Sequence, residues 1–338
     1  MDILRQNVGI DVAKKSFVAA FTILGKDQTV ACKSTKLFSN SPVGFQELMI
    51  WVKKHMVKDF QISYTMEATG VYYELLAYFL WEQGVRVHVI LPNKAKKFAE
   101  SLDAKSKTDN LDAKALGQMG VERNLKDWTL TSKIYRKLKT LTREKEELIK
   151  ERTRLKNQLH AEQHSGDPIR SYLTRHENHV KYINKQIRAV EKEIKTLVIG
   201  DEFISKKIEK VTTIPGIGFI TAVTVAAETN GFVNIQNIKQ LTSYAGYDVR
   251  LRESGRWKGK TAISKQGNSH IRHALYMPSI SSVQHSLTYK RVYERLNMQK
   301  HNGIISGTAI QRKLLGLIYT LWKNDSEYIE NYESKIAS

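Results

Sequence analysis

Four carboxylates have the spacing of a metal site. Asp11 lies within an apolar run, Val8-Gly9-Ile10-Asp11-Val12. An unpaired carboxylate is costly in such a run, which points to a buried functional role rather than a strand-ending turn. Glu67 closes a second apolar run, Ile62 to Met66, and Ala68-Thr69-Gly70 follows as a turn that opens a helix. Asp109 and Asp112 are three residues apart in Lys107-Thr108-Asp109-Asn110-Leu111-Asp112-Ala113, so both fall on one helical face. Hard divalent cations take oxygen ligands, and neighbouring carboxylates repel unless a cation sits between them. Together the four could hold two Mg²⁺ ions about 4 Å apart and support phosphoryl transfer. Singly, each has a structural reading. Glu67 is an ordinary strand-end carboxylate, Asp109 an N-cap, since Thr108 and Asp109 both cap well, and Asp112 a first-turn residue favoured by the helix dipole. The set, on one framework, carries the argument.

A second candidate lies in Arg250-Leu251-Arg252-Glu253-Ser254-Gly255-Arg256-Trp257-Lys258-Gly259-Lys260. From Arg250 to Arg272 there are seven basic residues (Arg250, Arg252, Arg256, Lys258, Lys260, Lys265, Arg272) and one acidic residue. A glycine-flanked serine among cations is suited to meet a phosphodiester. It needs a base, a metal or strong transition-state stabilisation to act as a nucleophile. Arg252 and Arg256 could stabilise developing charge. A serine–phosphate ester would conserve the energy of the broken bond and permit rejoining without ATP. Chemistry alone leaves a simpler reading in front, a basic loop that grips DNA with Ser254 incidental. Ile214-Pro215-Gly216-Ile217-Gly218 precedes a small-residue helix and could expose backbone N–H groups to a phosphate. A tight turn between packed helices explains it equally well. Gly267-Asn268-Ser269-His270-Ile271-Arg272-His273 opens another helix, with no zinc-ligand spacing in its histidines.

These residues need elements to position them. Val8–Val12 and Ser16–Ile23 read as strands joined by a short turn, Ile62–Met66 as a buried strand, Val71–Gln83 as a helix and Val85–Leu91 as a strand closed by Pro92. Strands alternating with helices imply an α/β sheet with parallel strands, whose chemistry gathers at the strands' carboxyl ends. From 133 to 200 the pattern changes. Ile134, Leu138, Leu141, Leu148, Leu155 and Leu159 keep heptad-like spacing, with Lys145 and Arg152 at two seam positions. Val180, Ile183, Ile187, Val190, Ile194 and Leu197 continue it after Gly166-Asp167-Pro168, where Asp167 reads as an N-cap and Pro168 as a first helical residue. Two long helices follow, either an antiparallel hairpin or an intermolecular coiled coil. So narrow a stripe favours an oligomerising arm. Residues 203–330 read as mostly helical, with a Gly- and Lys-rich loop from Arg250 to Gly267.

Composition bounds the partners. The 338 residues carry 54 Lys and Arg against 34 Asp and Glu, a formal net charge of +20. Residues 1–132 hold 18 basic and 14 acidic side chains, 133–200 hold 17 and 9, and 201–338 hold 19 and 11. The excess sits in the last two-thirds and favours a polyanionic partner through counterion release. Cys32 is the single cysteine, which excludes intrachain disulfides and a cysteine-based zinc site and suits a reducing compartment. No long apolar region follows Met1, and the longest apolar stretch, Ile214 to Ala227, is too short and too Gly/Thr-rich for a bilayer. A cytoplasmic, nucleoid-associated protein without membrane contact is expected.

Taken jointly, Gly9-Ile10-Asp11-Val12-Ala13-Lys14, Glu67-Ala68-Thr69-Gly70-Val71-Tyr72, Lys107 through Ala113, Ile214 through Gly218, Tyr244-Ala245-Gly246, Ser254-Gly255 and Gly267-Asn268 with Arg272 resemble one family. It is the insertion-sequence transposases with an Asp-Glu-Asp-Asp tetrad, related to Piv-type invertases and understood as bridge-RNA-guided recombinases. The motifs come in the family's order and span nearly the whole chain. After Gly246 this chain has Tyr247-Asp248-Val249 where relatives commonly carry a short apolar residue and then a proline.

The resemblance implies an α/β RuvC-like (RNase H-type) catalytic domain at 1–132, a coiled-coil oligomerisation arm at 133–200 and a mainly α transposase domain at 201–338. It implies Asp11, Glu67, Asp109 and Asp112 as Mg²⁺ ligands. It also implies Ser254 as a nucleophile that forms a phosphoserine intermediate, which reverses the preference from chemistry alone. The expected partners are donor and target DNA, a structured guide RNA from the element's own noncoding end, and further copies of the chain, from dimer to tetramer. Two alternatives stay open: a RuvC-type endonuclease with metal-activated water, and a non-enzymatic nucleic-acid-binding protein whose carboxylates are structural.

Overall fold

The computed structural model describes residues 3–57, 60–102, 108–251, 253–255, 257–259 and 262–330. The chain divides into two compact units, Met1–Leu130 and Thr131–Ser338.

The first unit carries β1 (Ile3–Val12), β2 (Ser16–Gly25), β3 (Val30–Ser39), α1 (Pro42–His55), β4 (Ile62–Glu67), α2 (Glu74–Glu82), β5 (Arg86–Ile90), α3 (Pro92–Glu100) and α4 (Asp109–Glu122). The sheet order is β3-β2-β1-β4-β5. Strands β1, β2 and β3 pair antiparallel, while β1, β4 and β5 run parallel. The first unit is thus the α/β fold expected, with a mixed rather than a purely parallel sheet. Strand β3 went unread in the sequence, because it is an edge strand whose Ala31–Leu37 stretch is mostly half-buried or exposed and has no apolar alternation. The helix expected from Val71 starts three residues later, after a turn with Gly70 at φ +61°.

Alternation splits the sheet's faces. Val8, Ile10, Phe17, Phe21 and Tyr64 pack with Phe45, Leu48, Val52, Leu76 and Leu80 of α1 and α2 in one core. The other face of β1 and β2 receives α4, and there the residues are small. A Cβ on Gly9 would stand 2.1 Å from the Ala113 carbonyl oxygen and from Gly117 N, and one on Gly120 would stand 2.2 Å from the Asn7 side chain. Helix and sheet approach closely only because these positions lack a side chain.

The second unit is mostly helical: α5 (Lys133–Gln163), α6 (Arg170–Ile199), α7 (Glu202–Thr212), α8 (Phe219–Glu228) and α9 (Ile238–Ala245). Four two-residue strands interrupt it, β6 (Val249–Arg250), β7 (Glu253–Ser254), β8 (Trp257–Lys258) and β9 (Ala262–Ile263). Helices α10 (Ser269–His285), α11 (Leu287–Lys300) and α12 (Gly303–Asn324) close it. Among the described residues no helix is long and apolar enough to cross a membrane.

The heptad stripes of α5 and α6 meet each other. Leu155, Ile183 and Ile187 form a small core at one end of the hairpin, and Leu138, Leu141, Val190, Ile194 and Val198 join the main core at the other. The two charged seam positions find partners on α6: Lys145 pairs with Glu191 at 3.1 Å, and Arg152 donates to Asn184 Oδ1 at 3.1 Å. The start of α6 differs from expectation. Asp167 and Pro168 remain in the turn, Ile169 is the N-cap, and its N–H donates to Glu162 Oε1 at 2.8 Å. The carboxylate that satisfies the helix end thus comes from α5, seven residues upstream.

Candidate active site

The carboxylates of the first unit are arranged by sheet register. Ile10 and Met66 pair across β1 and β4, so Asp11 and Glu67 are the next residues on adjacent parallel strands. Side by side on parallel strands, they project to the same face about 5 Å apart. That face is the one covered by α4, because Asp11 pairs with Val18, which packs with Ala113. Helix α4 runs back against β1: Gly120 meets Asn7, and Gly117 and Ala113 meet Gly9. Two strand residues advance about 6.6 Å and four helical residues about 6 Å. One further step therefore carries the first turn of α4, with Asp109 and Asp112, toward Asp11.

Local chemistry sets each group. Thr108 caps α4 by accepting the Leu111 N–H at 3.3 Å, which starts the helix with Asp109 and Asp112 in its first turn. The positive end of the helix dipole favours both carboxylates there. Glu67 accepts the Thr69 hydroxyl at 2.7 Å. Asp11, Glu67 and Asp112 are half-buried, Asp109 is exposed, and Asp11 and Asp112 already have polar partners. The donor set is all oxygen and suits Mg²⁺. Among the described residues, no three His, Cys, Asp or Glu side chains are gathered to hold a metal ion.

In the second unit the serine stands at the tip of a supported loop. Ser254 is exposed, pairs with Trp257 across the β7–β8 hairpin, and is followed by Gly255 at φ +57°. Arg250 is exposed on β6 opposite Ala262, and Lys265 is exposed with its N–H on the Gly246 carbonyl at 3.1 Å. Arg252, Arg256 and Lys260 lie outside the described residues, and for Lys258 the description covers the backbone alone. Arg272 acts inward: its Nη1 donates to the Ala245 carbonyl at 2.7 Å. A Cβ on Gly246, which is at φ +73°, would stand 2.8 Å from that same nitrogen. Asp248 and Ser264 close the loop's neck with a backbone and a side-chain hydrogen bond, each 2.7 Å. Tyr247 is buried, and its hydroxyl donates to Gln311 Oε1 at 2.9 Å.

Beneath the neck lies a network that the sequence reading missed. Glu228 is fully buried and accepts from Arg143 Nε at 2.6 Å and Nη2 at 2.9 Å, and from Asn268 Nδ2 at 2.6 Å. Lys139 Nζ stands 3.7 Å away, and the Tyr244 hydroxyl donates to the Glu228 carbonyl at 2.7 Å. Burial by itself would raise the carboxyl's pKa, but hydrogen bonds from Arg143 and Asn268 and the nearby cations hold it below its ordinary value. Asn268 also caps α10 by accepting the His270 and Ile271 N–H groups. His270 in turn bonds Glu146 on α5 at 2.6 Å. The one signal in the sequence was an isolated acid directly after the small apolar run Ala222–Ala227 on the same helix, which demands a partner when buried.

Family models match both units. A transposase model of the IS110 DEDD type covers residues 8–164, and the model described as transposase IS116/IS110/IS902 family covers 208–294. The chain belongs to this family of transposases. It is 28% identical over 327 residues to the pilin gene-inverting protein of Moraxella bovis, covering 95% of this chain and 97% of that one. It is 25% identical to the transposase for insertion sequence element IS1328 of Yersinia enterocolitica, over 73% of this chain and 79% of that protein. Among solved structures it is similar to RuvC of Thermus thermophilus in complex with a Holliday junction substrate. That likeness has 12% identity and a TM-score of 0.28, and it covers 36% of this chain and 99% of RuvC.

Proposed function

We propose that this transposase cuts and rejoins DNA through Ser254. In the reaction Oγ attacks a backbone phosphorus, a serine–phosphate ester forms, and the displaced deoxyribose oxygen leaves with a proton. Attack by a hydroxyl of another DNA end reverses the step and returns the proton to Oγ, so the energy of the phosphodiester is conserved. The observation that carries the reading is an exposed serine at the tip of a basic hairpin with a fixed neck, inside the segment matched by the transposase model. Arg250, Lys265 and the further cations Arg252, Arg256, Lys258 and Lys260 of that segment would neutralise the phosphate's charge. Arg272 would hold the loop's base rather than touch DNA.

Asp11, Glu67, Asp109 and Asp112 would hold Mg²⁺, which when bound polarises phosphate oxygens and stabilises a leaving oxygen. Their shared face at the carboxyl ends of β1 and β4 and the all-oxygen donor set support this assignment. The net charge of +20 supports a cargo of donor and target DNA with a structured guide RNA. Assembly as a dimer or tetramer would let several serines act on two DNAs.

The test incubates the protein and Mg²⁺ with labelled DNA spanning the element's joined ends and RNA from its flanking noncoding segment. A denaturing gel should show DNA attached to protein in the wild type and none in Ser254→Ala. Cleavage without an adduct, leaving free 3′-hydroxyl ends, would instead support water activated at the carboxylate end of the first unit.

A further inference from the structure

Trp257 is left unused by the chemistry above. The residue is 61% exposed, although an indole is among the largest apolar groups a chain can bury. Its seat is built. A Cβ on Gly259 would stand 2.5 Å from Trp257 Cη2 and 3.1 Å from Cζ2 and Cζ3, so the ring lies across a backbone that only glycine leaves open. Ser254 and Trp257 are direct antiparallel partners, so their side chains project from the same face of the hairpin about 5 Å apart. Gly255, at φ +57°, makes the turn between them. In sequence, the stretch from Arg250 to Arg272 that holds the pair carries seven basic residues and one acidic residue, and Arg250 and Lys265 are exposed.

A planar apolar ring held in water among cations suits a polyanion that also carries planar rings. Bases in intact duplex are stacked on their neighbours and offer no free face, whereas an unpaired base offers both. We propose that Trp257 is a stacking platform for an unpaired DNA base next to the phosphate that meets Ser254. The platform would fix the strand's position along the hairpin, with the cations gripping the backbone and the ring selecting for melted or nicked DNA. This inference rests on the assignment of Ser254 to DNA.

The test needs no target sequence, because stacking tolerates every base. Full-length protein, wild type and Ser254→Ala, is mixed with a single-stranded oligodeoxythymidine carrying 5-iodouracil, irradiated, and the cross-linked peptide identified by mass spectrometry. The cross-link should fall on Trp257 in both proteins. Trp257→Ala should weaken binding of the single strand by about 5- to 150-fold, and Trp257→Phe should keep most of it. Gly259→Ala, which pushes the ring off its seat without removing it, should give an intermediate loss. Binding of a duplex of the same length should be unchanged in all three variants. Wild-type affinity in Trp257→Ala, with cross-links elsewhere, overturns the platform. A Trp257 cross-link in a protein that never forms the serine adduct keeps the platform and removes the serine reading. An adduct without the cross-link does the reverse.

Discussion

Removing Arg143 tests whether the buried network under the serine hairpin holds this part of the second unit. Glu228 has no exposed side-chain surface and three hydrogen bonds to its carboxylate, two of them from Arg143. Arg143→Met keeps the stem but strips those two bonds, leaving Asn268 at 2.6 Å and Lys139 at 3.7 Å. Breaking a buried pair costs about 3–5 kcal/mol. Arg143 is 42% exposed and Lys139 remains, so screening and the residual cation reduce the expected loss to about 2–3 kcal/mol. Adding Glu228→Gln should recover about 1 kcal/mol or more, since the stranded charge is then gone. The pH dependence follows from the lowered pKa of Glu228. A carboxylate with a depressed folded pKa contributes stability above its unfolded value, about 4.3, and loses it as pH falls through the folded pKa. The gap between wild type and Arg143→Met should therefore be full at pH 7 and shrink below about pH 4. The assay is urea unfolding by far-UV circular dichroism at both pH values, the signal being dominated by the mostly helical second unit. A loss under about 0.5 kcal/mol, or a double variant no more stable than the single one, would refute the argument.

The close approach of α4 predicts that Gly9→Val destabilises by about 3 kcal/mol or more, because its Cβ would overlap the Ala113 carbonyl; thermal unfolding would show it as a lower midpoint. Tyr247→Phe strands the buried Gln311 oxygen, now bonded at 2.9 Å, and should cost about 1–2 kcal/mol in urea unfolding. Asp11→Asn should lower DNA cleavage at least about a thousandfold, roughly 4 kcal/mol of barrier, while a filter-binding assay shows unchanged affinity. Chelating Mg²⁺ from the wild type should reproduce that loss, and cleavage that survives chelation would remove the metal from the proposal.

Much of this molecule is written in local pattern. The apolar run with Asp11, the strand ending at Glu67, the capped first turn with Asp109 and Asp112, and the paired heptads are all legible, because periodicity records which face of an element is buried. Periodicity does not record what that face meets. The polar edge strand β3 had no pattern to read, and the narrow stripes of α5 and α6, which favoured an oligomerising arm, pack against each other within the chain. Tertiary structure decided that α5 meets α6, that Gly9, Gly117 and Gly120 admit α4 onto β1 and β2, and that Arg272 turns inward to a carbonyl. It also joined Glu228 to Arg143, 85 residues away. The reason is physical: burial preferences belong to single residues and repeat along the chain, whereas desolvated charges and close backbone approaches are satisfied by whichever distant group the packed core brings within about 3 Å.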